Sequence, residues 1–406
     1  MTSQLIIPKG TKAHVFVVDR FSFPVHSHRL FCGVKDPRRE WGFSGKWGLY
    51  ATILCTRLND LVFFYQRRID EPQEERGFRG IYKIASEPFF DDSEVSWASH
   101  KVLGKCPYCG STFPEKMDFK KQTAWCSECK KQLEYGAHIL PNRIRIQLYQ
   151  YYEKSVDDNT AYVDQTDPGT LWTMLFRKVY GRGRERSVAP ILPEEAEKLI
   201  RLLDKVNRDK KAESLEFDPY VPTEKRAIKV DLGPGPKVKY EHVLQAWFME
   251  NIDKDFPVLK DILGPKKDLE WFGNEIIYGI GGDKVDILTL HMEDNIRRRS
   301  TVIELKDGEV GKQDVKQIER YSYWVSQLVT ANAKERIQSH LTLQPVLVGF
   351  DFTTEALSVL NGMQQRNINI EYPWGKVTIT IMAPIGLKYE VQDGKIEFDF
   401  AKPPSK

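Results

Sequence analysis

The sequence predicts a multidomain protein that combines α/β and α+β architecture. Its 406 residues are enough for two or three domains, each with a core of its own. The N-terminal half alternates short apolar runs with loops, and two paired-cysteine motifs interrupt it, whereas the C-terminal part alternates strand-like and helix-like patterns. We therefore expect an N-terminal domain at 1–206 with an insertion at 101–136, a linker at 207–236 and a second domain at 237–406.

The composition is that of a globular protein in water. Hydrophobic residues make up 41% and charged residues 29%, and no apolar run approaches the length needed to span a bilayer. The apolar part of Met1–Lys9 is too short for a signal peptide, so we expect a cytoplasmic protein without a membrane partner. The net charge of +3 permits nucleic-acid binding, but any basic surface must be local.

The N-terminal half opens with strand-like segments and a loop of unusual composition. Ala13–Arg20, Asn59–Tyr65 and Phe78–Phe89 are predicted to contain strands. Between Phe21 and Tyr50, cationic and aromatic side chains alternate, a combination that suits phosphates and stacked bases. The backbone-contact candidates here are Arg38 and Arg39, and the base-binding candidates are Trp41 and Trp47, with Trp97 further along; alternatively, these tryptophans simply pack into the core.

A second basic loop contains Arg182 and Arg184, each next to a glycine. Such a loop can bind a phosphate backbone, or it can be a solvated turn before the helix predicted from Glu194 to Val206. Both interpretations stay open.

Two CxxC motifs form the inserted segment's main signal. The cysteines are Cys106, Cys109, Cys126 and Cys129, with a spacer typical of a zinc ribbon. Four thiolates give a closed tetrahedral site, so the zinc ion is expected to be structural. Disulfides are disfavoured in a cytoplasmic chain, and a redox role is disfavoured by the two adjacent copies.

Several N-terminal phrases resemble the EVE and YTH-type domains of the PUA-like superfamily. They are LNDLVFFY, GFRGIYKIASEPFFDD, Leu140–Ile146 and Gly181–Arg184. The resemblance implies a small β-barrel that takes a flipped or modified base into an aromatic cage. These segments consist mainly of apolar and turn residues that define a fold, so they indicate the fold more than a ligand.

The C-terminal part contains a predicted hairpin with clustered charges. Gly281–Leu288 and Thr301–Lys306 have the pattern of two strands joined by a polar turn. Asp286 and Glu304 can then bind Mg²⁺ or Mn²⁺ in an open site, and Lys306 can orient a nucleophile or stabilise phosphate charge. Solvated surface ion pairs are the alternative interpretation of these residues.

Flanking helices complete a second resemblance. An apolar stripe predicts a helix over Tyr240–Asn251, with Glu241 near its start, and Gln317 and Tyr321 share one face of a helix that begins near Gln313. In the order Glu241, Glu275, GGDxVDIL, IELK and QxxxY, the segment resembles the PD-(D/E)XK nuclease superfamily, in its archaeal mismatch-nuclease and RecB-like branch.

That resemblance implies a restriction-endonuclease-like α/β domain. Asp286 and Glu304 would be metal ligands, Lys306 the catalytic lysine and Glu241 a supporting acid, with Gln317 and Tyr321 matching the motif that follows the lysine. The proline that names the family is replaced by Val285.

Together these features predict a metal-dependent DNA endonuclease that recognises a modified or damaged base through its N-terminal domain. Its expected partner is double-stranded DNA, and a homodimer is possible because one site cuts one strand at a time. The alternatives are a mismatch- or structure-specific repair nuclease, an RNA nuclease, and a binding protein without catalysis.

Overall fold

The structure is a computed structural model with a mixed α/β fold. It describes the following residues: 11–18, 22–34, 45–66, 77–93, 95–98, 106, 108–111, 116–118, 123–133, 135–138, 140–157, 160–161, 188–208, 217–223, 225–278, 283–331 and 333–404. No helix among these residues is long and apolar enough to cross a membrane.

The described residues of the N-terminal half form strands and three helices. In chain order they are β1 (Ala13–Val18), α1 (Ser22–Arg29), β2 (Phe31–Val34), α2 (Gly45–Leu54), β3 (Leu61–Gln66), β4 (Gly77–Ile84), β5 (Phe89–Phe90), β6 (Val95–Ala98), β7 (Lys116–Asp118), β8 (Thr123–Trp125), β9 (Gln132–Leu133), β10 (Tyr135–His138), β11 (Asn142–Leu148), β12 (Val188–Ile191) and α3 (Pro193–Val206).

The main N-terminal sheet is mixed, in the order β12-β1-β3-β4-β11-β5-β13, where β13 is Arg226–Ala227, and β2 pairs with β11. The parallel pair β1 and β3 lies between β12 and β4, and both strands are mainly apolar and almost entirely buried. The cysteine-bearing segment is set apart from this sheet. Its three short strands β7, β8 and β9 form a separate sheet, and the antiparallel pair of β6 and β10 brackets it.

In the C-terminal part, the described residues form a second large sheet with four helices, and β13 at its start pairs with β5 of the N-terminal sheet. Its elements are β13 (Arg226–Ala227), α4 (Glu241–Asn251), α5 (Pro257–Leu263), a 3₁₀ turn (Lys266–Asp268), β14 (Leu269–Tyr278), β15 (Asp283–Glu293), β16 (Ile296–Leu305), β17 (Glu309–Val310), α6 (Lys312–Ala331), β18 (His340–Gly349), β19 (Asp351–Phe352), α7 (Thr354–Gly362), β20 (Arg366–Tyr372), β21 (Gly375–Ile381), β22 (Ile385–Gln392) and β23 (Lys395–Lys402).

The C-terminal sheet has the order β14-β15-β16-β18-β21-β20, and β22 and β23 extend it from β18. Strands β15 and β16 form an antiparallel hairpin, while β16 and β18 are parallel and are connected through α6. The hairpin is therefore central in the sheet, where its apolar positions are covered on both sides.

One hydrophobic core includes residues from both halves of the chain. The same cluster of buried side chains contains Phe64 of β3, Trp247 of α4 and Ile303 of β16. Helix α2 packs directly on α4. A Cβ at Gly48 in α2 would lie 2.6 Å from Oε1 of Glu275, so a larger residue there would displace the Glu275 carboxylate. The two halves are thus in tight contact.

Part of the segment predicted as a linker packs against the N-terminal half. The backbone amides of Asp218 and Tyr220 donate to the carbonyls of His28 and Arg29, at 3.1 and 2.8 Å. The hydroxyl of Tyr220 also donates to the Asp91 carboxylate. These hydrogen bonds satisfy backbone amides and carbonyls that would be hydrogen-bonded to water in a flexible linker.

Candidate active site and zinc ribbon

The end of the β15–β16 hairpin brings Asp286 to the last residues of β16. The Oδ2 atom of Asp286 accepts a hydrogen bond from the backbone amide of Leu305 at 2.8 Å. Only 8% of Asp286 is exposed, so its carboxylate points into a largely closed space. This bond fixes the carboxylate against the strand that carries Glu304.

Glu304 is buried, with 2% of its surface exposed, and its two carboxylate oxygens have different surroundings. Oε1 accepts from Nζ of Lys306 at 2.7 Å and from Nε2 of Gln317 at 2.9 Å. Oε2 is buried and has no hydrogen-bond partner among the described residues. A buried carboxylate oxygen of this kind needs a cation or a donor from outside the protein.

Lys306 lies within a ring of carboxylates. Besides Glu304, its Nζ atom lies 3.6 Å from Oε2 of Glu241 and 3.9 Å from Oδ1 of Asp314. Burial alone would lower the pKa of Lys306, but the charges of Glu304, Glu241 and Asp286 outweigh it and raise that pKa. The lysine is therefore held in its charged form.

The three acids carry more negative charge than one lysine offsets. Burial raises the pKa of Asp286 well above its usual range, and the charges of Glu304 and Glu241 raise it further. Burial also raises the pKa of Glu304 to about 7, although Lys306 opposes this shift. Burial is also the main cause that raises the pKa of Glu241. A bound cation would favour the ionised form of all three.

The donor set fits a hard divalent cation such as Mg²⁺ or Mn²⁺. Carboxylate oxygens are the ligands these ions prefer, and Mg²⁺ keeps several waters instead of taking a full protein cage. Among the described residues, no three His, Cys, Asp or Glu ligand atoms lie within 4.8 Å of one another apart from the cysteine group. A cation held here would therefore have Asp286 and Glu304 as its protein ligands and water in its other positions.

Helix α6 supplies the residues that steady Glu304. Gln317 donates to Tyr321 Oη at 2.8 Å as well as to Glu304, and Tyr321 is 2% exposed. The four-residue spacing puts both side chains on the helix face towards β16, as predicted. The structure thus brings together Asp286, Glu304, Lys306, Glu241, Gln317 and Tyr321, and their catalytic roles remain predictions.

A chain of buried, hydrogen-bonded polar side chains lies behind the site and was not predicted from the sequence. The Gln245 amide donates to the Asp286 backbone carbonyl at 3.3 Å, and the Gln245 side-chain oxygen accepts from Asn274 at 3.0 Å. Asn274 also donates to the Gly48 carbonyl at 3.3 Å, and Thr52 donates to its Oδ1 at 3.2 Å. The chain therefore connects α2 of the N-terminal half to the strand of Asp286.

One sequence signal could have suggested part of this chain. Gln245 is a polar residue within the apolar stripe of α4, four positions after Glu241, and this spacing places both on one helix face. Asp314, in the first turn of α6, had no comparable signal, because its contact with Lys306 depends on how the helix packs.

The four ribbon cysteines form a compact group. Their Sγ atoms all lie within 4.8 Å of one another, and the Cys106–Cys129 and Cys109–Cys126 distances are 3.9 and 3.7 Å. Zinc–sulfur bonds of about 2.3 Å in a tetrahedron put sulfurs about 3.8 Å apart. These separations exceed a disulfide bond and match four thiolates around one zinc ion.

Backbone turns position these cysteines. The amide of Gly110 donates to the Cys106 carbonyl at 2.9 Å, and that of Lys130 donates to the Cys126 carbonyl at 3.0 Å. Both residues after the second cysteine, Gly110 and Lys130, have positive φ, at 75° and 60°. The same turn is thus used twice, and it places each CxxC pair on one side of the site.

The base-binding and backbone candidates of the N-terminal half are not placed. Arg38, Arg39, Trp41, Arg182 and Arg184, together with Gly281 and Gly282, lie outside the described residues. Trp47 belongs to α2 and Trp97 to β6, but their side chains are outside the description as well.

Comparisons with known proteins give little further guidance. No protein-family model and no curated protein matches the chain. Among solved structures, the crystal structure of human THYN1 protein in complex with 5-methylcytosine-containing DNA covers 50% of this chain and 100% of its own chain, at 11% identity and a TM-score of 0.24. A TM-score this low carries no argument about fold or function.

Proposed function

We propose that the protein is a metal-dependent DNA endonuclease. The observation that carries this proposal is the Glu304 carboxylate: Lys306 and Gln317 hold one of its oxygens, and the other is buried without a partner among the described residues. Structural ion pairs satisfy both oxygens where they can, so this arrangement favours a functional site.

In this proposal, Asp286 and Glu304 would hold the cation. Bound there, Mg²⁺ or Mn²⁺ would polarise a phosphoryl oxygen and lower the pKa of water. The Leu305 amide and Gln317 orient the two carboxylates. Lys306, kept charged by its neighbours, would stabilise negative charge that develops on the phosphate.

We further propose that the N-terminal half selects DNA with a modified or damaged base. The support is the sequence resemblance to base-reading PUA-like domains and the alternation of cations and aromatics around α2. Extrusion of a base costs least where its pairing or stacking is already weakened, which by itself favours altered sites. Trp47 lies on α2, the helix that hydrogen-bonds through Gly48 and Thr52 to the chain behind Asp286.

The test is cleavage of matched duplexes with Mg²⁺ or Mn²⁺. The duplexes share one sequence and are unmodified, methylated, hydroxymethylated, deaminated or mismatched, with an RNA beside them. We expect metal-dependent cutting of one base-altered duplex. Asp286→Asn and Glu304→Gln should reduce cleavage by roughly 100-fold or more and leave binding intact, since loss of a ligand costs at least as much as loss of its support.

Glu309→Gln is the matched control, because Glu309 is exposed in β17, three residues after Lys306 in the sequence, and should keep full activity. Cutting of the mismatched duplex alone would favour a structure-specific repair nuclease, and cutting of RNA alone an RNA nuclease. Binding without any cleavage by the intact protein would contradict the catalytic proposal.

A further inference from the structure

A cavity of about 470 Å³ lies beside α5, and none of the candidate active-site residues line it. Its volume is within the range of small-molecule sites, roughly 300–1,000 Å³. The wall is apolar and includes Phe256, Leu259 and Leu263, and Phe256 is 36% exposed. We call this space the α5 cavity.

The rim of the α5 cavity is strongly cationic. Lys254, Lys260, Lys266 and Lys267 line it, and Asp255 is the only carboxylate residue among the described residues that do so. Lys254 lies 3.8 Å from Glu250, whereas the other three lysines have no ion pair within the described part of the chain. Their positive charges are therefore available to bind an anion.

Beneath this rim lies a second cationic group, Arg299. Its Nη1 atom would be 3.3 Å from a Cβ at Gly264, which lines the cavity. Arg299 pairs across the hairpin with His291, another lining residue, so the two side chains share one face of the sheet.

Arg299 has no acidic partner in the described ranges. Its Nη2 atom donates to the Ile262 carbonyl, and its buried Nε has no partner there. Burial lowers the pKa of Arg299, and no neighbouring carboxylate offsets this effect. A desolvated guanidinium without a counter-charge is costly, and arginine is well suited to phosphate.

We propose that the α5 cavity binds one nucleotide, with the phosphate at the lysine rim, where the charge of Arg299 behind Gly264 also attracts it, and the base against the apolar wall at Phe256. Neither feature alone requires a nucleotide, since cations suit any anion and an apolar wall suits many ligands. Their combination at this volume suits a phosphate joined to a flat, apolar ring.

The position of the cavity connects it to the proposed nuclease function. His291 and Asp286 are five residues apart on β15, and Arg299 and Glu304 are five apart on β16. Five residues correspond to about 17 Å along a strand, and because five is odd, the side chains of His291 and Arg299 lie on the face of the sheet opposite to those of Asp286 and Glu304. A nucleic acid that occupies both places must therefore contact both faces of the sheet. The nucleotide is thus either a unit of bound DNA, which rests on the proposed function, or a free mononucleotide.

The first experiment measures binding of 2′-deoxyadenosine 5′-monophosphate to the full chain by calorimetry, without added divalent metal. Inorganic phosphate and 2′-deoxyadenosine are the comparison ligands. The variant is Lys266→Glu/Lys267→Glu, and the control is Lys376→Glu/Lys395→Glu, which makes the same charge change at exposed positions elsewhere.

We expect the nucleotide to bind at least tenfold more weakly to the Lys266/Lys267 variant and within twofold of wild type to the control. Arg299→Gln, which keeps a donor near Ile262, should also weaken binding at least tenfold while the folded protein retains its thermal midpoint within a few degrees. If inorganic phosphate binds as tightly as the nucleotide, the assignment to a nucleotide is wrong.

The second experiment separates the two sources of nucleotide. Duplex DNA is titrated at several salt concentrations in a Glu304→Gln background. If the cavity holds a unit of DNA, the Lys266/Lys267 variant should lower the salt slope of log K by about 1.8, since each phosphate contact contributes about 0.9. An unchanged slope together with weaker mononucleotide binding assigns the cavity to a free nucleotide.

Unchanged binding of both ligands overturns the proposal. This outcome is distinct from failure of the nuclease proposal, because cleavage by wild-type protein is measured separately. A protein that cuts DNA but shows no effect of the rim lysines would retain the proposed function and lose only the α5 cavity.

Discussion

The side-chain amide of Asn274 donates a hydrogen bond to the side-chain oxygen of Gln245 at 3.0 Å, where neither residue is more than 1% exposed. The side-chain amide of Gln245 in turn donates to the backbone carbonyl of Asp286, and the Thr52 hydroxyl of α2 donates to Asn274 Oδ1. In a low-dielectric interior, such a chain specifies one arrangement of the strands it connects.

We predict that Asn274→Ala both destabilises the protein and impairs the candidate site. Gln245 Oε1 would lose its donor in a buried position, which costs about 1–3 kcal/mol, whereas the Gly48 carbonyl would keep the hydrogen bond from the Thr52 hydroxyl. Urea denaturation measures the free energy of unfolding, and metal titration of the folded variant measures the site. The control Asn369→Ala removes an exposed hydrogen bond to Thr378 and should change stability by less than about 0.5 kcal/mol. Equal effects of the two variants would contradict the prediction.

The raised pKa of Glu304 predicts a pH dependence of stability in metal-free protein. Because the folded-state pKa, about 7, lies above the ordinary value of 4.5, the stabilisation is present below pH 4.5 and is lost as pH rises through 7. At 1.36 kcal/mol per pKa unit, a rise from 4.5 to about 7 limits the loss to about 3–4 kcal/mol.

The measurement is the free energy of unfolding at pH 5 and pH 8 for wild type and Glu304→Gln. Wild type should lose more stability than the variant between these pH values, and added Mg²⁺ or Mn²⁺ should restore it at pH 8 more than at pH 5. If the difference between the two proteins is the same at both pH values, the ionisation of Glu304 is not the cause.

The ribbon should contain one zinc ion per chain. Metal analysis of wild type should find one equivalent, and Cys106→Ser should lose most of it, because a closed four-thiolate site depends on each ligand. Limited proteolysis should then cut within residues 101–136, since so short a segment depends on its metal for folding. Cys32→Ala, at a buried cysteine outside the ribbon, should keep its zinc. Full zinc content in the Cys106 variant would refute the four-cysteine site.

The buried ion pairs of Arg297 should be far more important to stability than an exposed pair of similar length. Arg297 is fully buried and binds Glu270 through two bonds of 2.8 Å, and Glu194 of α3 at 2.6 Å. Arg297→Met strips the buried carboxylates of this partner and should cost about 3–5 kcal/mol. Arg366→Met, which breaks a half-exposed pair with Glu319 at 2.8 Å, should cost less than about 1 kcal/mol. Thermal denaturation of both variants compares the two sites, and a similar loss in each would contradict this expectation.

Local patterns predicted the elements around the site because they depend on residues close in sequence. The hairpin of β15 and β16 follows from two apolar runs joined by a polar turn, and α6 from its helical periodicity. The α3 helix begins at a proline, as expected for a first helical position. The placement of Glu241 beside Lys306 was suggested only by resemblance.

Contacts between distant segments could not be predicted in the same way. The Asn274–Gln245 bond joins a strand and a helix 29 residues apart, and the Thr52–Asn274 bond spans 222 residues. Local sequence propensities do not determine which buried side-chain amides hydrogen-bond to each other. The parallel pairing of β1 and β3 likewise depends on the segment between them, which contains α1, β2 and α2. The Glu304 carboxylate, for which a solvated surface pair was an alternative, is buried because β18 and α6 cover it.

The hydrophobic core that includes Phe64, Trp247 and Ile303 has a geometric consequence for any nucleic acid bound to both halves of the chain. A reading module on a flexible tether samples many separations from its catalytic partner, so its cuts scatter along the strand. Here the two halves are held by the same packed interior. In a nuclease built this way, the number of nucleotides between the base that is recognised and the bond that is cut would be constant.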